Sequence, residues 1–131
     1  MGFLKSIFGG NKTEENKEEK QIPWIALTAM GQLEEIVQNS SVRPQVIFKH
    51  STTCGVSRMV LNMFKQNYQL SEVQMDFHYL DLHANRNISD EVAIKFQVTH
   101  QSPQLLIIKN GRVVVHDSHG SIADINLEKY V

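Results

Sequence analysis

The five residues Gln45 to Lys49 (QVIFK) make a nearly continuous apolar run, the pattern of a strand covered on both faces. A strand of that kind needs a layer on each side, so the rest of the chain has to supply helices for both faces of a sheet. The preceding sequence begins to do so. After Pro23, Trp24 to Leu27 forms a short apolar segment of strand type, and Thr28 is a candidate N-cap for a helix to about Gln38 with Met30, Leu33, Ile36 and Val37 on one face. Ser40, Ser41 and Pro44 then break the pattern ahead of the central strand. Beyond it, HSTTCGVS is a polar turn, and Val56, Met59, Val60, Met63 and Phe64 recur at the spacing of an amphipathic helix.

The second half continues the alternation. Met75 to Leu82 alternates as a strand, Asn85 to Asn87 turn the chain, and Ser89 is a candidate cap for a helix with Val92, Ala93, Ile94 and Phe96 that should end near Gln97. Gln104 to Ile108 and Val113 to His116 are β-rich runs separated by Lys109, Asn110, Gly111 and Arg112, and Asn-Gly between two such runs is a hairpin signal. Ser121 opens a last predicted helix, with Ile122, Ile125, Leu127 and Tyr130 giving a partly amphipathic face. The expected order is β-α-β-α-β-α-β-β-α. It describes an α/β fold with a mixed sheet, helices on both faces and an antiparallel hairpin at one edge.

Length and composition fix the scale. With 131 residues, 41% of them hydrophobic, the chain is long enough for one core and too short for two. Thirteen Lys and Arg against fourteen Asp and Glu leave a net charge of -1, which gives no support to nucleic acid or an anionic membrane as a partner. Residues 1–10 (MGFLKSIFGG) form a short amphipathic leader, about a third of a membrane span in length, so stable membrane insertion is not expected. Met1, Gly2 and Ser6 fit an N-myristoylation pattern, but the pattern is short and requires a eukaryotic transferase. Residues 11–21 contain no apolar side chain, the composition of a disordered charged linker, and the folded domain is expected over residues 22–131. The leader lacks the cleavage site and long apolar stretch of a secretory signal, and a cytoplasmic location is the expectation.

A single cysteine, Cys54, excludes an intramolecular disulfide and any multi-thiolate metal site made by one chain alone. It lies where the central strand hands over to a helix. The thiolate is the reactive form of cysteine, and the unpaired amides and positive dipole end of a helix N-terminus favour it. The amides of Val56 and Ser57 are the candidate donors, and the Ser57 hydroxyl, about one turn on, is a candidate hydrogen-bond partner of the sulfur. Gly55 leaves room for a second sulfur to approach. Lys49, His50 and Arg58 are candidate cations for tuning the thiol. The bland alternative is an inert buried cysteine, which the polar turn before Cys54 and the helix after it disfavour.

Together, the strand VIFK, the turn HSTTCGVS, the helix after it, the Ser102-Pro103 pair leading into QLLIIKNGRVVVHD, and the final segment resemble the thioredoxin fold over residues 24 to 131. Cys54-Gly55-Val56-Ser57 stands where that family has Cys-x-x-Cys, with Ser57 in place of the second cysteine. More narrowly, the leader, the TCGVS site and the DSHGSI segment resemble the monothiol bacilliredoxins of the YtxJ type, whose site usually has proline where this chain has Gly55. The resemblance implies a thioredoxin-like fold, a cis bond before Pro103, and a substrate-side wall made by Ser102 and Pro103, with Thr53, Gly55 and Val56 as further substrate-binding residues. It implies a monothiol thiol-disulfide oxidoreductase with Cys54 and Ser57 as catalytic residues. The partners implied are client proteins carrying mixed disulfides, with a low-molecular-weight thiol, bacillithiol, as co-substrate and a small thiol or another redoxin as reductant. No tightly bound cofactor is expected.

Cys54 to Ser57 is also close to the Cys-Gly-Phe-Ser of monothiol glutaredoxins, which bridge a [2Fe-2S] cluster between two chains. Against that alternative, Val56 replaces the phenylalanine, the loop from Lys49 to Cys54 is shorter, and HDSHG lacks the paired glycines of that group. A thioredoxin-fold binding module with an incidental cysteine is a third possibility. Cys-x5-Arg phosphatase chemistry is disfavoured because Val60 occupies the arginine position. The six histidines fall in no recognised metal pattern, so no metal site is expected. His50 alone is close enough in sequence to tune Cys54.

Overall fold

The structure is a computed structural model that describes residues 21–70 and 74–131. The leader assigned to residues 1–10, and all of the charged linker except Gln21, lie outside the described residues. Among these residues, five strands and three α-helices follow one another as β1 (Trp24–Ala26), α1 (Gly31–Asn39), β2 (Gln45–His50), α2 (Gly55–Gln66), β3 (Asp76–Asp81), α3 (Arg86–Phe96), β4 (Gln104–Lys109) and β5 (Arg112–Ser118). Two short 3₁₀ turns, His119–Asp124 and Leu127–Lys129, complete the chain.

The strands form one sheet in the order β1-β3-β2-β4-β5, with β2 in the middle as its unbroken apolar run requires. All six residues of β2 are buried. β3 runs parallel to β1 and β2, whereas β4 is antiparallel to both β2 and β5. Asn110 and Gly111 both take positive φ, 52° and 78°, as a two-residue hairpin turn demands. Their amides donate to the carbonyl and hydroxyl of Ser40 at the end of α1, which ties the hairpin to the helix layer.

Side chains of β2 alternate between two cores. Val46 and Phe48 join Val60, Leu61 and Phe64 of α2 on one face, while Ile47 joins Leu33 and Ile36 of α1 and Ile88, Val92 and Phe96 of α3 on the other. Fully burying a side chain the size of Phe48 contributes about 1.5–3 kcal/mol, so the helix layers and the sheet hold one another. Trp24 is a packing anchor, its ring 5.8 to 6.3 Å from those of Phe48, Phe64, Phe77 and Tyr79.

Several boundaries differ from the sequence expectation, each for a local reason. Helix α1 begins at Gly31 because the Gln32 side chain, not Thr28, accepts the backbone amides of Thr28 and Ala29, at 2.8 Å each. Met30 is consequently outside the helix and exposed. Helix α3 begins at Arg86 with Asn85 at its N-cap; Ser89 is buried inside it, and Ile94 faces solvent. Helix α2 packs through Ser57, Val60, Leu61 and Phe64, a stripe displaced from the predicted one, so Val56, Met59 and Met63 are exposed. The last predicted helix is two 3₁₀ turns, because the Asn126 side chain accepts the Glu128 amide and restarts the chain before a helix can propagate. Ile122 and Leu127 are nonetheless buried.

The topology brings four chain segments to one end of the sheet. Parallel β2 and β3 both finish there, antiparallel β4 starts there, and β5 ends beside the start of β4 through the Gln104–Ser118 pair. Loops beyond the carboxyl ends of parallel strands are the usual place for a site in an open α/β sheet.

Candidate active site around Cys54

Cys54 is the N-cap of α2, with extended backbone at φ -104° and ψ 122°. Its carbonyl accepts the Arg58 amide at 3.1 Å, the first bond of the helix, and its own amide donates to Ser51 O at 3.3 Å. The amides of Gly55, Val56 and Ser57 therefore precede the helical ladder and have no acceptor among the described residues. A side chain at the N-cap is the group that can reach the second and third of those amides, here Val56 and Ser57. The thiol is partly exposed and makes no capping hydrogen bond.

The Ser57 hydroxyl, expected on the sulfur, is turned inward instead. Ser57 is fully buried; its Oγ accepts the Ser51 amide at 3.0 Å and lies 2.8 Å from His50 Nδ1. With one lone pair of Oγ taken by the amide, the hydroxyl proton is free to be donated to a neutral imidazole. Burial lowers the pKa of His50, an effect that Lys65 and Arg58 reinforce and Asp81 opposes. His50 thus supports the Cys54 loop from beneath through Ser57.

The other two candidate cations lie apart. The Arg58 guanidinium folds back over the first turn of α2, with Nη1 donating to the Thr52 carbonyl at 3.3 Å. Its Nη2 is also the nearest atom, at 3.9 Å, to the place a Cβ would take on Gly55. Lys49 points to the opposite face of the sheet, where its Nζ donates to Ser89 O at 3.3 Å and lies 3.2 Å from His100 Nδ1.

The Ser102–Pro103 peptide is cis, as the resemblance implies. Pro103 immediately precedes β4 at the end of the sheet where β2 finishes, and its carbonyl accepts the His119 amide at 3.1 Å. Ser102 is half-buried; its backbone amide and carbonyl have no partner among the described residues, and its Oγ is buried without one. His119 has φ 56°, a left-handed conformation unusual for a residue with a side chain.

One residue of the loop cluster escapes sequence reasoning. His83, just beyond β3, lies with Nε2 2.8 Å from Ser51 Oγ and 3.2 Å from Thr53 Oγ1, so it clamps the segment leading into Cys54. The only available signal was topological: parallel neighbours β2 and β3 end together, which sets the residue after one beside the residue after the other. Among the described residues, no group of three or more His, Cys, Asp or Glu side chains could hold a metal ion, and no helix is long and apolar enough to cross a membrane.

Known proteins share the family and the fold of this chain. Residues 25–127 match the family described as monothiol bacilliredoxin BrxC. A solved structure described as a candidate oxidoreductase with a thioredoxin fold is 33% identical, with TM-score 0.65, over 76% of this chain and 85% of that one. Thioredoxin from Malassezia sympodialis is 15% identical with TM-score 0.64, covering 89% of this chain and 94% of that one. Thioredoxin from Schistosoma mansoni is 22% identical with TM-score 0.61, over 82% and 95%. The two thioredoxins establish likeness of fold alone.

Proposed function

Because the chain belongs to the monothiol bacilliredoxin family, a group of thioredoxin-like thiol oxidoreductases, we propose that Cys54 removes bacillithiol from mixed disulfides on client proteins. The observation that carries this reading is the partly exposed Cys54 at a helix N-cap, beside three amides without acceptors among the described residues, with Ser57 in place of a second cysteine. The Cys54 thiolate attacks the bacillithiol sulfur of the mixed disulfide. A Cys54–bacillithiol disulfide forms, the client's sulfur leaves as thiolate, and water protonates it. A second small thiol, or another redoxin, then attacks the bacillithiol sulfur and returns Cys54 as thiolate, carrying away the oxidised disulfide.

In this reading Thr53, Gly55 and Val56 flank the reacting sulfur, while Ser102 and Pro103 form the opposite wall. The unpartnered backbone of Ser102 supports pairing with an extended client segment. Residues 22–131 make up the catalytic domain, with 1–10 and 11–21 as leader and linker. A thiol that must be regenerated calls for a reducing compartment, the cytoplasm.

The test is intact-mass analysis of the full chain after exposure to a bacillithiolated protein. The expected result is a bacillithiol adduct on the wild type, absent in Cys54→Ala, with release of free client thiol. No adduct and no release would overturn the proposal, and a coloured dimer purified from the native host would favour a bridged [2Fe-2S] carrier instead.

A further inference from the structure

Lys49 is fully buried between the sheet and α3, although an ammonium taken out of water is costly unless it is well paired. Its hydrogen-bond partners are the Ser89 carbonyl and His100 Nδ1, and no carboxylate comes within ion-pair distance of it among the described residues. Replacing a buried charge by an apolar side chain of similar volume is often neutral or stabilising, and Ile47, on the same face of β2 as Lys49, lies in an apolar core. The lysine is therefore poorly explained by stability alone, and what it holds becomes the question.

What it holds is the loop that leads to Ser102. Opposite Lys49 on the neighbouring strand is Gln104, 1% exposed. The Gln104 amide donates to Thr99 O at 3.0 Å and accepts the Gln101 amide at 3.4 Å, while Lys49 takes the His100 ring between them. Two buried polar side chains, adjacent across β2 and β4, thus fasten three consecutive loop residues from below. Ser102 is the next residue, and its backbone has no partner among the described residues.

We propose that Lys49 and His100 are positioning residues that hold the Thr99–Ser102 loop in the shape needed for Ser102 to pair with substrate. The proposal rests on the reading of Ser102 as a substrate contact. For Nδ1 to accept from the ammonium, His100 must be neutral. Burial lowers its pKa, Lys49 and Arg86 lower it further, and Asp90 opposes them, so the ring is neutral at physiological pH.

The test uses the full chain with Lys49→Met, His100→Ala and His100→Gln, the last retaining an acceptor for the ammonium. Hydrogen exchange of the Gln101 amide, the loop amide that Gln104 Oε1 accepts, should accelerate about tenfold in Lys49→Met and His100→Ala, the scale of one lost charge-assisted hydrogen bond, and His100→Gln should restore most of the protection. The KM for a bacillithiolated client should rise by a similar factor, about tenfold, with kcat and the rate of Cys54 alkylation by iodoacetamide unchanged. His100 is exposed, so His100→Ala keeps the test valid if Lys49→Met fails to fold. Unchanged exchange in both variants overturns the anchoring. Faster exchange with unchanged KM overturns its role in substrate binding. A wild type that turns over no mixed disulfide removes the proposed function, while the exchange measurement still decides whether the anchor exists.

Discussion

The Ser57 hydroxyl lies 2.8 Å from His50 Nδ1 and also accepts the Ser51 amide, so its hydrogen bonds are directed into the protein rather than at Cys54. Where a dithiol redoxin has a second sulfur, this chain has a strut between the end of β2 and the first turn of α2. The absence of an internal resolving group thus goes together with a rigid attachment of the loop that carries the nucleophile.

Removing that strut should be felt in stability before chemistry. Ser57→Ala leaves the Ser51 amide and the His50 ring nitrogen without a partner in a buried site, at a cost of about 1–3 kcal/mol. Urea denaturation measures it. Cys54 alkylation at neutral pH should be unchanged, because no hydrogen bond from the Ser57 hydroxyl reaches the sulfur; a large drop in that rate would mean that the hydroxyl turns outward in solution.

Gly55→Pro should be accepted and stabilising. Residue 55 is the first of α2, its amide is unpaired, and Cys54 before it already has the extended conformation that a following proline requires. Gly55 has no positive φ, and a Cβ there meets only Arg58 Nη2 at 3.9 Å. A gain of about 0.4–1 kcal/mol, read from the shift in urea midpoint, is the expected result.

Acid should weaken the fold through histidine. His50, His78 and His100 all have pKa values lowered from 6.5, with burial as the largest cause in each. Between those depressed folded values and 6.5 the unfolded chain binds more protons than the folded one. The stability these three groups contribute is present in full above about pH 6.5 and is lost as pH falls through their folded values. Urea midpoints at pH 7.5 and pH 5.5 compare the two regimes, and the acidic one should be lower.

Lys49 predicts a rise on the alkaline side. Burial lowers its pKa from 10.5 to about 8, with Asp90 opposing. Between pH 8 and 10.5 the unfolded chain again binds the extra proton, so stability increases with pH over that interval. Lys49→Met should flatten the rise between pH 8 and pH 9.5, readable by chemical denaturation.

Much of this was legible in residue order. QVIFK identified the central strand, Asn110-Gly111 the hairpin, and the polar turn before an amphipathic helix the place of Cys54, because each is set by local pattern or turn stereochemistry. Helix starts were less legible: α1 begins where the Gln32 side chain accepts the Thr28 and Ala29 amides, and α3 begins after Asn85, whose side chain makes no cap hydrogen bond, so neither start carries the Ser or Thr cap that the sequence offers. The buried face of α2 was ambiguous because two overlapping apolar stripes share Val60 and Phe64, and only the packed sheet selects the one containing Leu61. His83 could not be found from spacing at all, since its place beside Thr53 depends on which strands are neighbours.

Lys49 and His50 are consecutive, yet one is buried against α3 and the other against Tyr79 and the Cys54 loop. A strand's faces alternate residue by residue, so inserting or deleting a single residue in Gln45–His50 would exchange them, sending the imidazole under α3 and the ammonium beneath the thiol. This strand can therefore tolerate exchange of one apolar side chain for another but not a change of length, and insertions can be absorbed only in the segments on either side of it.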